Sequence, residues 1–236
     1  MLGGLVLVLS LLLLYVASTG SSPSAAVATS SVLTFEASGP ATWSELLHAG
    51  GVLQARLLAW YPQTERSLEW TVESDRLVVS LPPGVPAEWL VTEATRRGLV
   101  ELVDGGTEFL PLGRRVQTGP APRPDVGVYE VVLSPTHFVT TTARLQGGHP
   151  AVEFLLTPEG DARLAAHTRH ERGYYICVLI DGRVVNCPLL RTPLTERRGE
   201  IELTGTATLG QARLLAMLLV SGPLPVTLRP VGLVRK

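Results

Sequence analysis

Apolar residues recur along this chain at every second position in some stretches and at every third or fourth in others, and the switches between the two periods outline its elements. Residues 32–37 alternate and predict a strand. Thr42 with Glu45 forms a capping box that predicts a helix from there to about Trp60, broken at Gly50-Gly51. Residues 67–73 and 75–81 predict two half-buried strands around a tight turn, with Leu77, Val79 and Leu81 on one face, and Pro82-Pro83-Gly84 ends them. Pro86 suits the first turn of a helix that runs to about Arg97 and is capped by Gly98, and residues 99–103 predict one more strand. The order is βαββαβ, so residues 32–104 are expected to form a ferredoxin-like base.

Residues 105–127 hold five Gly and four Pro with little periodicity, which predicts a connector between two subdomains. Beyond it, residues 128–133 and 151–156 predict strands, and Thr157-Pro158-Glu159 opens a helix that ends at Gly173. Residues 174–180 and 183–189 flank Asp181-Gly182, a pair that tolerates the positive φ angles of a type I′ hairpin turn. Residues 200–204 predict a further strand, and Thr208 with Gln211 caps a last helix whose run over 214–220 is wholly apolar. That run is too short to cross a bilayer, so the helix is expected to be buried on more than one side. The fold class is therefore α+β: a ferredoxin-like base followed by a second α+β head subdomain over residues 128–235.

The first 35 residues carry no charged side chain, and residues 5–17 are an apolar run interrupted only by Ser10. Residues 1–20 are expected to be a signal peptide, with Ala26-Val27-Ala28 as a small-residue cleavage pattern, or an N-terminal membrane anchor. Either form places the body outside the cytoplasm, secreted or tethered through a flexible linker at residues 21–31. Twenty basic against 21 acidic side chains leave a formal charge of -1, with no surplus to neutralise phosphate, and this argues against a nucleic-acid partner.

Candidate chemistry is sparse. Of the five histidines, His48, His137, His149, His167 and His170, only the last two are close, at i and i+3 on one helix beside Glu171. That spacing can set two metal ligands on one face, or simply a solvated helix end where cationic groups suit the dipole. Ser134 and His137 lack a Gly-x-Ser-x-Gly elbow and are expected in a loop, and neither a phosphate-binding nor a dinucleotide glycine pattern follows any strand. No catalytic, cofactor-binding or metal-binding residue is assigned, and no cofactor is expected. Arg96-Arg97, Arg114-Arg115 and Glu196-Arg197-Arg198 are expected as solvated surface, with a docking surface as the alternative. Trp43, Trp60, Trp70 and Trp89 are expected in packing. Cys177 and Cys187 lie on the two arms of one hairpin; a two-residue turn sets Cys177 opposite Asn186 and Cys187 opposite Ile176, so two buried free thiols are expected, whereas a one-residue change of register would pair them.

Three separated blocks then carry a resemblance. Glu153-Phe154-Leu155-Leu156-Thr157-Pro158-Glu159-Gly160, Val178 to Val184 with Cys187-Pro188, and Gly205 to Ala212 continuing through Leu219 to Val226 resemble, in order and spacing, the head of the first large extracytoplasmic domain of the SecD/SecDF protein-export subunit. Residues 74–103, with Arg76 to Pro82 and Arg97 to Leu102, are similar to the base of that domain. The resemblance implies the fold, the extracytoplasmic side, and contact with translocated or unfolded polypeptide or with the Sec translocon. The transmembrane bundle that couples proton flow to export in the family has no counterpart residues in this sequence, so proton-driven pulling is not implied. The expected function is a non-enzymatic SecD-like accessory domain that transiently binds unfolded polypeptide, through any unpaired sheet edge of the head. The alternatives are an envelope structural or interaction module and, third, an extracytoplasmic enzyme.

Overall fold

The computed structural model describes residues 30–61, 69–168, 174–190 and 197–235. The leader at 1–20 and nearly all of the linker at 21–31 lie outside the described residues. Strand β1 (Ser31–Ala37) leads to α1 (Trp43–Trp60), which opens with the expected capping box: the Thr42 hydroxyl accepts from the Glu45 N–H, and the Glu45 carboxylate accepts from the Thr42 N–H at 2.7 Å. The helix continues through Gly50-Gly51 without a break. Gly50 is where Trp70 of β2 (Glu69–Glu73) lies on the helix, and a Cβ there would stand 2.3 Å from the indole ring. On β3 (Arg76–Leu81), Leu77, Val79 and Leu81 are buried as expected, and they pack with Leu33 and Phe35 of β1 and Leu53 and Leu57 of α1. The helix expected up to Arg97 is shorter: α2 (Ala87–Trp89) passes into a π-helical turn, Leu90–Ala94, and stops at Thr95.

The ferredoxin-like connectivity does not hold, although the α+β class does. Strand β4 (Val100–Gly106) was expected beside β1, but that place is taken by the last strand, β14 (Leu228–Arg235), giving an antiparallel sheet of order β14-β1-β3-β2. The reason lies in the faces of β4. Leu102 is buried in one core cluster and Val103 in another, so β4 needs cover on both sides and is a central strand. On β14 only Leu228 is buried, as suits a sheet edge.

Within the stretch expected as a connector, β5 (Gln117–Thr118) pairs in parallel with β6 (Val128–Tyr129), and β7 (Val131–Leu133) joins a different sheet, so the single strand expected over 128–133 is split in two. Next come β8 (Phe138–Gln146), β9 (His149–Leu156), α3 (Pro158–Thr168), β10 (Tyr174–Ile180), β11 (Arg183–Asn186), β12 (Leu189–Leu190), β13 (Arg198–Glu202) and α4 (Leu209–Ser221). One sheet has the order β11-β10-β4-β7, with β12 also on β10; the other is β13-β9-β8. Helix α4 has its capping box at Thr208 and Gln211, and Leu215 to Leu219 are buried without interruption because α4 packs against β8, β9 and α1. Burial on several sides is what its apolar run predicts.

The hairpin turn is as expected, with φ of 51° at Asp181 and 72° at Gly182. Its register is not. Leu179 faces Val184 but Val178 faces Asn186, which leaves Val185 as an extra residue in a bulge. Continued outward, this shift sets Cys177 against Cys187, and the two form a disulfide rather than the expected free thiols.

Candidate functional site

Helix α1 places one polar residue among its buried leucines. Arg56 is fully buried and extends to the end of the π-helical turn and to the C-terminus of α4. Its Nη1 donates to the Arg96 carbonyl at 2.6 Å and its Nη2 to those of Arg97 at 2.9 Å and Gly222 at 3.0 Å. Burial pushes the guanidinium down to about 10, a shift that the Asp181 carboxylate opposes, so it stays charged at neutral pH. Asp181 works on the same segment: its carboxylate accepts from Gly98 N–H at 3.2 Å and Leu99 N–H at 2.9 Å, and its own N–H donates to the Leu99 carbonyl at 2.8 Å. Gly98 has φ of 71°, and a Cβ on it would lie 2.6 Å from Arg56 Nη2 and from Leu218 Cδ2. No periodicity argument marks Arg56, since an arginine at a core position of a helix looks like any interruption of the apolar stripe.

Beside this clamp Asp181 borders a cavity of about 400 Å³ between the hairpin and α4. Ile180, Val185, Leu203 and Leu214 line it together with Arg96, Arg115 and Arg183. The rim is assembled by backbone pairing. Residues 113–116 run along the free side of β11, with Gly113 N–H on the Val184 carbonyl at 2.8 Å and Val116 N–H on the Gly182 carbonyl at 2.9 Å, and this sets Arg115 against Arg183. Arg96 pairs with Glu93, while Arg115 and Arg183 have no carboxylate within ion-pair distance among the described residues. A volume of this order, lined by apolar side chains and guanidinium groups together, is that of a small binding site.

The candidates from sequence fare differently. Arg96 and Arg115, from two separate pairs, are brought to one cavity. Arg197 is turned inward, donating from Nε and Nη2 to the Leu156 carbonyl at 3.0 and 2.7 Å. His167 is 3.2 Å from the Asp104 carboxylate, and that bond holds Asp104 below the usual carboxylate range against the opposing effect of burial; His170 and Glu171 lie outside the described residues. His48 and His149 are exposed, and among the described residues no three His, Cys, Asp or Glu side chains gather as a metal site. His137 is buried and caps its own turn, its Nδ1 accepting from the Ser134 N–H at 3.0 Å with Ser134 Oγ at 3.1 Å. Trp60, Trp70 and Trp89 are half-buried as expected, but Trp43, at the start of α1, is 63% exposed.

The match to known proteins falls on the elements that build this cavity. The family described as SecDF, P1 head subdomain, matches residues 116–226. The protein translocase subunit SecD of Dictyoglomus turgidum is 36% identical over 86 residues, which cover 36% of this chain and 21% of that protein. Residues 116–226 of the chain match a SecDF P1 head subdomain. The SecDF subunit of Thermus thermophilus is also 36% identical, over 84 residues, covering 36% of this chain and 11% of SecDF. The SecD subunit of Acetobacter pasteurianus is 28% identical over 171 residues, 66% of this chain and 32% of that SecD, so the chain spans only about a tenth to a third of these relatives. Two solved SecDF structures share the fold. The crystal structure of SecDF in a super-membrane-facing form has a TM-score of 0.64 at 22% identity, over 88% of this chain and 30% of the other. A structure of SecDF, a membrane component that enhances protein export, has a TM-score of 0.63 at 23% identity, over 85% of this chain and 98% of the other. The likeness in fold thus extends over 85–88% of this chain. SecD and SecDF are protein-translocation components and not an enzyme family. Among the described residues no helix is long and apolar enough to cross a membrane.

Proposed function

We propose that this SecD-type domain is a non-enzymatic, extracytoplasmic accessory domain that transiently binds translocating or unfolded polypeptide during export, placed there by the leader at residues 1–20 acting as signal or anchor. The observation that supports it best is the cavity between the hairpin and α4. An unfolded chain offers apolar side chains next to amides and carboxylates, and the cavity answers with Ile180, Val185, Leu203 and Leu214 beside guanidinium donors and the Asp181 acceptor. Binding of this kind reads little sequence and needs no nucleotide, metal or membrane potential.

The test is a fluorescence titration of the full chain with labelled, reduced and carboxymethylated α-lactalbumin, a permanently unfolded acidic polypeptide. Binding is expected to be weak and to weaken with salt, and the Arg115→Gln/Arg183→Gln variant is expected to lose about three- to tenfold in affinity, the scale of two partly exposed charges. If nothing unfolded binds at high concentration while a folded envelope protein co-purifies stoichiometrically, the chain is an envelope interaction module instead, a reading favoured by exposed Trp43.

A further inference from the structure

The edges of the two head sheets are treated unequally. The outer side of β11 is taken by residues 113–116. That of β7 is closed by Arg163 of α3, whose Nε and Nη2 donate to the Val132 and Val131 carbonyls at 3.1 Å each. Strand β8 spans nine residues, has no proline, and among the described residues pairs only with β9. At the edge of the base sheet, β14 carries Pro230, which removes a donor. Natural sheets blunt long open edges with proline, with charges or with a covering segment. On β8 the exposed positions include Val139 and Leu145, at 48% and 58%, together with one charge, Arg144, which is drawn into ion pairs with Glu153 and Glu200.

The face of β8 tells what would sit beside it. Thr141 is opposite Phe154 and Ala143 opposite Val152, and both Phe154 and Val152 are buried under α4. Thr141 and Ala143 are on the same face but only half-buried, although the Thr141 hydroxyl donates to the Ala216 carbonyl at 2.6 Å. Helix α4 therefore lies against β8 as well as β9, yet leaves these two β8 positions half-exposed. Beside them is a groove of about 410 Å³ lined by Thr141 and Ala143 of β8, Trp60 at the end of α1, and Arg213, Met217 and Val220 of α4. A strand laid along β8 at the usual spacing of about 4.8 Å would turn every second side chain into this groove and the others to solvent.

We propose that β8 is a strand-addition site for extended polypeptide with apolar residues at alternate positions, which place those side chains in the groove beside Trp60 and Val220. Only another extended backbone offers N–H and C=O groups at the spacing this edge needs. The inference rests on the reading that the chain binds unfolded polypeptide, and it names the edge and the sequence pattern that such binding uses.

Hydrogen exchange of the full chain, followed by mass spectrometry with and without saturating carboxymethylated α-lactalbumin, tests it. Amides in residues 139–146 are expected to slow at least tenfold on binding. Val220→Asp, at a half-exposed groove position, is expected to abolish that protection. An alternating Val-Thr peptide is expected to bind, and its counterpart N-methylated at every second residue is not. Binding without protection of 139–146, or equal binding of the N-methylated peptide, overturns strand addition and leaves polypeptide binding in place. Absence of any binding overturns both. Protection that grows with protein concentration alone assigns the edge to a second copy of the chain and also overturns the proposal.

Discussion

Arg56 and Asp181 hold one turn, residues 96–99, from opposite sides: the guanidinium donates to the carbonyls of Arg96 and Arg97, and the carboxylate accepts the N–H groups of Gly98 and Leu99. The turn carries the chain from the π-helical turn into β4, and so from the β14-β1-β3-β2 sheet to the β11-β10-β4-β7 sheet. A buried arginine and the carboxylate of a hairpin turn therefore hold the passage between the two sheets, and the same carboxylate borders the cavity proposed to receive polypeptide.

Removing the clamp should cost far more than removing a surface charge. Arg56→Met leaves the carbonyls of Arg96, Arg97 and Gly222 without their buried donor, and a loss of about 3–5 kcal/mol is expected in urea unfolding. Asp181→Asn keeps one acceptor and tolerates the positive φ, so about 1–2 kcal/mol is expected. Gly98→Ala should also destabilise, because its Cβ meets both Arg56 and Leu218. An Arg56→Met protein within about 1 kcal/mol of the parent would contradict this role.

The bulge at Val185 makes the disulfide a consequence of register. Alkylation of the native protein without reductant, then digestion, should recover the Cys177 and Cys187 peptides linked. Reduction should lower stability by about 2–4 kcal/mol. Recovery of both cysteines alkylated would restore the two-residue register and the free thiols.

Acid should act partly through Asp104. The His167 bond holds its pKa below the unfolded value of 3.8, so as pH falls the unfolded chain takes up this proton before the folded one does. The contribution is fully present above the unfolded pKa and is lost as pH falls through the lower, folded one. Asp104→Asn is therefore expected to flatten the stability profile below about pH 4. An unchanged acid limb in that variant would show that the pair has no such linkage.

Local chemistry was legible residue by residue. The capping boxes at Thr42 and Thr208, the Asp181-Gly182 turn, the buried face of β3 and the several-sided burial of α4 each depend on neighbours within a few positions. Strand β8 escaped detection because its nine residues, Phe138 to Gln146, are mostly polar and only Phe138 is buried, the pattern of an edge left open on one side. The cavity rim escaped for another reason. Arg96, Arg115 and Arg183 have no common spacing, and only the pairing of residues 113–116 with β11 brings them together.

Short-range pattern carried the α+β class, both capping boxes and most elements, though not β8 or β14, and three separated blocks carried the resemblance to the SecD head, because caps, turns and alternation leave their mark in order and spacing. Tertiary structure alone decided that β14 and not β4 stands beside β1, that a bulge joins Cys177 to Cys187, and that Arg56 is buried at the junction. Those outcomes depend on which faces can be covered and which registers close a core, and that is a property of partners distant in the chain.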